Sequence, residues 1–277
     1  MNQKNLDVNK ELSLFNKITF NEDKHSYSID NKLSNKFSVT GAINKFKPAF
    51  DSDKWANIKA KKEGITAEEM KFIWSEKALY ATELGTCVHK LIESIYVDLP
   101  HVLPDYNILE EKIGKEKLFS FQKKFNSTIE GFCDFYKRTK HNIIPVRNEL
   151  VIGDIDNSMV CGMLDMLAFN KESMCYEIYD FKTNNKISYK NNYNERFNTP
   201  LEHIQVCEFN TYSLQLSIYR YILEKYTNIK INKSYILWLP GTSGVYELIQ
   251  TKYFDTEAKC VLDLCKEYNE QNNLLRR

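Results

Sequence analysis

The sequence lacks the features that would send it to a membrane, out of the cell or into a disulfide framework. No window in its 277 residues approaches about 18 consecutive apolar positions, so no transmembrane helix is expected. The opening stretch MNQKNLDVNKELSLF has no basic-then-apolar layout, so no signal peptide is expected and the cytoplasm is the default location. Glycine and proline are scarce, at 9 and 6 residues, and no stretch of them is dense enough to mark a domain boundary. The seven cysteines (Cys87, Cys133, Cys161, Cys175, Cys207, Cys260 and Cys265) are odd in number and form no CxxC pair. That argues against both disulfides and a zinc site. A structural iron–sulfur cluster would need four convergent thiolates. Only Cys260 and Cys265 lie close together, and on a helix they would point about 140° apart, so no cluster is expected. Net charge is lacking too: at +1 it gives no general argument for a polyanionic partner.

What is present is a well-stocked core, 43% hydrophobic and 13% aromatic. The first sixteen residues are polar apart from one short apolar patch and are expected to be loosely ordered. Ile18 to Val39 reads as a hairpin, with ITF, HSYSID and KFSV as its extended pieces and Asn31-Lys32 at a turn. Thr40 stands as N-cap of a short helix, AINKF, that Pro48 ends. Helical spacing follows over 51–60 and over 66–83, where Thr66-Ala-Glu-Glu69 makes a capping box. An apolar stripe of Val88, Leu91, Ile92 and Ile95 marks 85–97, and a further amphipathic helix spans 118–138.

The period then changes. Residues 149–154, 159–169 and 175–182 read as three consecutive strands separated by turn-like segments. An Asn-rich polar loop over 184–199 leads to a helix over 212–226, strands over 234–239 and 245–250, and a C-terminal helix from about Asp255. There is no internal repeat. The pattern predicts an α/β domain with a central mixed sheet flanked by helices.

Chemistry concentrates in the middle strands. Side chains alternate along a strand, so Asp180 and Lys182 project to one side of Tyr-Glu-Ile-Tyr-Asp-Phe-Lys. A surface ion pair is the ordinary explanation. Yet the strand is bulky throughout, and buried charges are costly unless paired or bound to metal. One strand earlier, Asp165 sits within Met-Leu-Asp-Met-Leu. Two acids in neighbouring apolar strands make a hard-oxygen site suited to Mg²⁺, and the backbone carbonyl of Phe181 offers a further oxygen. Phosphodiester hydrolysis uses such parts, with a lysine beside them to orient water or stabilise charge. Local charge is permissive: Lys112 to Lys140 holds eight Lys/Arg against three Asp/Glu, a run that a solvated helix face also explains.

Four motifs in order now bear on these residues: Gly85-Thr-Cys-Val-His89, Gly162-Met-Leu-Asp165, Asp180-Phe-Lys-Thr183 and Gln215-Leu-Ser-Ile-Tyr219. Together they resemble the GxxxH, GxxD, DxKT and QxxxY motifs of the RecB-like branch of the PD-(D/E)XK nuclease superfamily, which includes phage recombination exonucleases. The resemblance spans about half of the chain, and each motif alone is weak. It implies a restriction-endonuclease-like core at about 80–250, with the N-terminal hairpin and helices as additions, inside one domain over 17–277 preceded by the polar segment 1–16. It implies Asp165 and Asp180 as metal ligands, with His89 as a third that makes Mn²⁺ acceptable besides Mg²⁺, and Lys182 as the catalytic lysine. Gln215 and Tyr219, on one helix face, would contact DNA or brace the lysine. Glu149 is an accessory acid or a plain surface glutamate. The implied activity is a metal-dependent DNA exonuclease in recombination, repair or replication, plausibly of phage origin and acting then in the host cytoplasm. A structure-dependent endonuclease and a non-catalytic DNA-binding scaffold are the competing readings. The chain carries no Walker A or helicase motif, so any unwinding would have to come from another protein, and the resemblance admits a recombination, annealing or helicase protein as partner.

Overall fold

The computed structural model describes residues 3–22, 24, 26–30, 32–33 and 37–274. Met1 and Asn2 of the polar segment, His25 and Lys36 of the expected hairpin strands, its turn residue Asn31, and residues 275–277 lie outside them. The N-terminal segment is not loosely ordered. It forms α1 (Gln3–Leu12) and a 3₁₀ stretch over Ser13–Lys17. Val8, Leu12 and Phe15 stand at i, i+4 and i+7, so a segment polar on average still buries one face in the main core.

β1 (Ile18–Asn21) and β2 (Ser26–Ile29) pair antiparallel, and the two-residue β3 (Lys32–Leu33) adds to β2. The expected last piece of this hairpin goes elsewhere: β4 (Phe37–Ser38) runs parallel to a strand of the large sheet. The next helix, α2 (Val39–Asn44), starts before Thr40, because the extended Ser38 caps it by accepting from Gly41 N at 3.0 Å. α3 (Ser52–Glu63) precedes α4 (Ala67–Tyr96), which opens on the Thr66/Glu69 capping box and runs through Gly85 without a break. α5 (Tyr106–Ile113), not foreseen in the sequence, and α6 (Lys115–Thr139) complete the helical half.

The large sheet is built from β5 (Ile143–Gly153), β6 (Val160–Asn170) and β7 (Cys175–Lys182), an antiparallel meander. α7 (Glu208–Tyr226) then crosses over, so that β8 (Ile231–Trp238) lies parallel to β7. β9 (Glu247–Gln250) closes the edge antiparallel, and α8 (Asp255–Leu274) ends the described chain. The fold is α/β: a mixed sheet flanked by helices, with an antiparallel N-terminal hairpin.

Strand alternation divides the core into two. Ile178 packs on the side of α2, α7 and α8, whereas Tyr179 and Phe181 pack on the side of α4, α5 and α6. The second layer rests on a stripe along α6, Phe121, Phe125, Phe132 and Phe135, all buried. Each such side chain contributes roughly 1.5–3 kcal/mol of burial.

One detail of the sheet positions the site. β5 occupies one edge of β6 along nearly its whole length. On the other edge, β7 pairs with residues 166–170 and β4 with residues 160–161. Between them, among the described residues, Gly162 to Asp165 have no ladder partner on that edge, because β7 has already diverged.

Candidate metal centre

That divergence assembles the acids. The β6–β7 ladder ends at the Met166–Tyr179 pair, so Asp165 and Asp180 lie just beyond its last rung. On the other edge, Asn148 pairs with Met166 and Leu150 with Leu164, which sets Glu149 against Asp165. Three neighbouring strands thus carry one acid each in a single row. Asp165 is 8% exposed and Asp180 2%. With the ladder ended, the Phe181 N–H turns to a side chain instead, donating to Asp165 Oδ2 at 2.6 Å.

Glu149 adopts φ +45°, in the left-handed region within a strand. A non-glycine residue there costs about 1–3 kcal/mol and persists only where its surroundings hold it. His89 reaches the row from α4. Its Nε2 lies 3.0 Å from the carbonyl of Phe181, and its Nδ1 lies 3.7 Å from both Glu149 Oε1 and Asp165 Oδ1. The Phe181 carbonyl is therefore not left free by the strand end; it accepts from His89. Committing Nε2–H to a carbonyl leaves Nδ1 as the nitrogen that faces the acids, the arrangement by which histidine ligands are usually oriented.

Ligand atoms from His89, Glu149 and Asp165 all lie within 4.8 Å of one another. Two carboxylates and an imidazole, with Asp180 alongside, suit Mg²⁺ and, through the nitrogen, Mn²⁺. Burial disfavours the His89 cation, but Asp165 and then Glu149 outweigh it and push the imidazole up to about 9. Burial raises Asp165, against the opposing pull of His89 and Lys182. Burial likewise pushes Asp180 up to about 6, against Lys182 and with Asp165 adding to the rise.

Lys182 Nζ sits 2.5 Å from Asp180 Oδ2. Burial would lower its pKa, but Asp180 and Asp165 more than offset that and raise it. The two carboxylates thus favour the ammonium form. The ring of Tyr212, 5.0 Å away, lies beneath it.

α7 closes the site from the other side. Gln215 Nε2 donates to Tyr219 Oη at 3.3 Å, and Tyr219 is buried. A Cβ on Gly162 would fall 2.6 Å from Tyr219 Cε1 and 2.8 Å from its hydroxyl, so the aromatic ring lies directly on the glycine backbone. Gly85 looks towards Thr183 Oγ1, 3.8 Å from where its Cβ would stand. His89, Glu149, Asp165, Gln215 and Tyr219 line one cleft of about 760 Å³. Lys182 and Tyr212 line a second of about 850 Å³, which His89 also borders.

All the residues singled out in the sequence gather at this junction. Glu149, an accessory or surface acid on sequence grounds, stands in the acidic row with its side chain half-buried. Tyr212 was missed as a site residue, although it precedes Gln215 by three and Tyr219 by seven and so shares their helix face. The cysteines are all free thiols. Compared with known proteins, the chain matches no family model and no curated sequence.

Proposed function

We propose that the chain is a metal-dependent DNA nuclease of the PD-(D/E)XK type, with a restriction-endonuclease-like core, hydrolysing phosphodiester bonds from DNA ends. The observation that carries this reading is the row of Glu149, Asp165 and Asp180 across three strands, with His89 at one side and Lys182 at the other. His89, Glu149, Asp165 and Asp180 would hold Mg²⁺ or Mn²⁺. Such an ion supplies Lewis acidity at the phosphoryl oxygen and a bound water of lowered pKa. Lys182 is held beside the row by Asp180. It stands as a fixed positive charge for the charge that develops on phosphate. His89 is held in one orientation by the Phe181 carbonyl, and Tyr219 braces β6 through its contact with Gly162. Preference for ends, and a place in recombination, repair or replication beside an annealing or helicase partner, follow the motif resemblance.

End-labelled linear, nicked and circular DNA, each incubated with Mg²⁺, Mn²⁺ or EDTA, tests the reading. Metal-dependent loss of linear substrate with circles spared is the expected result. Cutting of circles or at junctions would make the enzyme an endonuclease. DNA bound but uncut with either metal would make it a scaffold. Asp180→Ala and Lys182→Ala are each expected to lower cleavage at least about 100-fold, with far-UV circular dichroism unchanged. Retained activity in either variant would sink the mechanism.

A further inference from the structure

The two clefts that meet at His89 differ in charge. The one holding the acids is also lined by Glu22 and Glu93, with His89 and Lys90 as the basic residues among its lining. The other is lined by Lys77, Lys117, Lys124 and Lys182 against Glu76. Tyr212 joins it to a third hollow of about 400 Å³, lined by Lys47, Lys186 and Lys190 against Glu208. Lysine-rich hollows on either side of Tyr212 therefore lead away from Lys182 in one direction, and an acidic cleft lies in the other.

The far end of the trough is furnished for bases. Tyr193 is 68% exposed, yet it is not loose. Its backbone N–H donates to Asn191 Oδ1 at 2.7 Å, and Asn191 is itself tied to Gln205, Glu195 and Val206. Its ring lies 5.3 Å from that of Trp55 on α3. Nearby Tyr189, 52% exposed, packs on Phe209 with ring centroids 4.8 Å apart. Exposed aromatics beside a row of lysines are what a single strand needs: ammonium groups for successive phosphates and ring faces for unpaired bases. A duplex keeps its bases stacked inside and has no use for such rings.

We propose that this trough is the path of a single-stranded DNA segment, which runs from Lys182 past Tyr212 to Lys186, Lys190 and Tyr193 and does not continue into the acidic cleft. The inference deepens the nuclease reading and rests on it for the identity of the substrate.

Binding measured without catalysis tests it. A fluorescently labelled oligonucleotide is titrated in EDTA as a single strand and as a duplex, against the full chain, by anisotropy at several salt concentrations. Lys186 and Lys190 are exposed, so the double variant Lys186→Ala/Lys190→Ala leaves the core intact. The charge-matched control is Lys171→Ala/Lys230→Ala, exposed positions at the opposite end of β7 and β8 from Lys182. The expected result is tighter binding of the single strand than of the duplex. The trough double variant is expected to lower the log–log salt slope by about 1.4, two phosphates at about 0.7 each, and the control to leave it unchanged. Tyr193→Ala is expected to weaken single-strand binding roughly ten-fold. Preference for duplex, absence of binding, or trough variants that bind as the parent does would each overturn the proposal. Failure of the nuclease reading looks different: DNA is held through the trough but left uncut with Mg²⁺ and Mn²⁺.

Discussion

Glu149 is a glutamate in a backbone conformation that suits glycine, and the residue scale is where its cost can be read. Relieving the strain and removing the carboxylate are separable. Glu149→Gly is expected to be more stable than Glu149→Ala by about 1 kcal/mol, since only glycine relaxes φ +45°. Both are expected to bind Mn²⁺ more weakly than the parent. Urea midpoints and Mn²⁺ titration followed by electron paramagnetic resonance would check the pair. Gly162 poses the opposite problem. Gly162→Ala drives a methyl group against Tyr219 and is expected to destabilise by about 1–3 kcal/mol. Combining it with Tyr219→Leu should cost less than the two changes summed, because the residues share one space. Additive costs in a double-mutant cycle would refute the contact.

At the scale of elements, the β5–β6 turn is tied to the end of α7 by one buried carboxylate. Asp154 Oδ2 accepts from Ser158 N at 2.9 Å and from its hydroxyl at 2.6 Å, while Oδ1 accepts from Lys225 Nζ at 2.6 Å and the Tyr226 hydroxyl at 2.8 Å. Burial would raise this carboxyl, but Lys225, Ser158 and Tyr226 outweigh it and hold it below its ordinary 3.8. A depressed native pKa gives stability that is present above the unfolded value and lost as pH falls through the native one. Asp154→Ala is therefore expected to cost about 3 kcal/mol near neutrality. The gap from the parent should narrow as pH falls below about 4. Urea denaturation across that range measures it, and a gap that stays constant would show that packing, not charge, is what the residue supplies.

For the whole molecule, α1 and its 3₁₀ extension are part of the core. Val8, Leu12 and Phe15 are buried in the cluster that also holds α7 and α8, and Glu11 Oε2 accepts from Asn228 N at 2.5 Å. Removing residues 1–17 is expected to cost roughly 5–9 kcal/mol from burial of three side chains, less where the unfolded state is compact. Against total stabilities of about 5–15 kcal/mol, that would leave the domain near its threshold. A urea midpoint unchanged by the truncation would show that the segment is an appendage.

The sequence by itself determined the period of the middle strands and of α3, α4, α6 and α7, the capping box at Thr66 and the motif residues from His89 to Tyr219, because alternation and capping are local rules. It also determined that Asp180 and Lys182 share a strand face. Tertiary structure alone decided the rest. β4 leaves the hairpin for the large sheet, since a two-residue strand says nothing about which edge it joins. α1 orders because the core gives its one apolar face somewhere to go. Glu149, Asp165 and Asp180 come together only where the β6–β7 ladder ends at Met166 and Tyr179, and His89 meets them across 92 residues of chain. The lysines of the trough come from α2's exit, α4, α6 and the loop after β7, each an ordinary surface charge until packing lines them up.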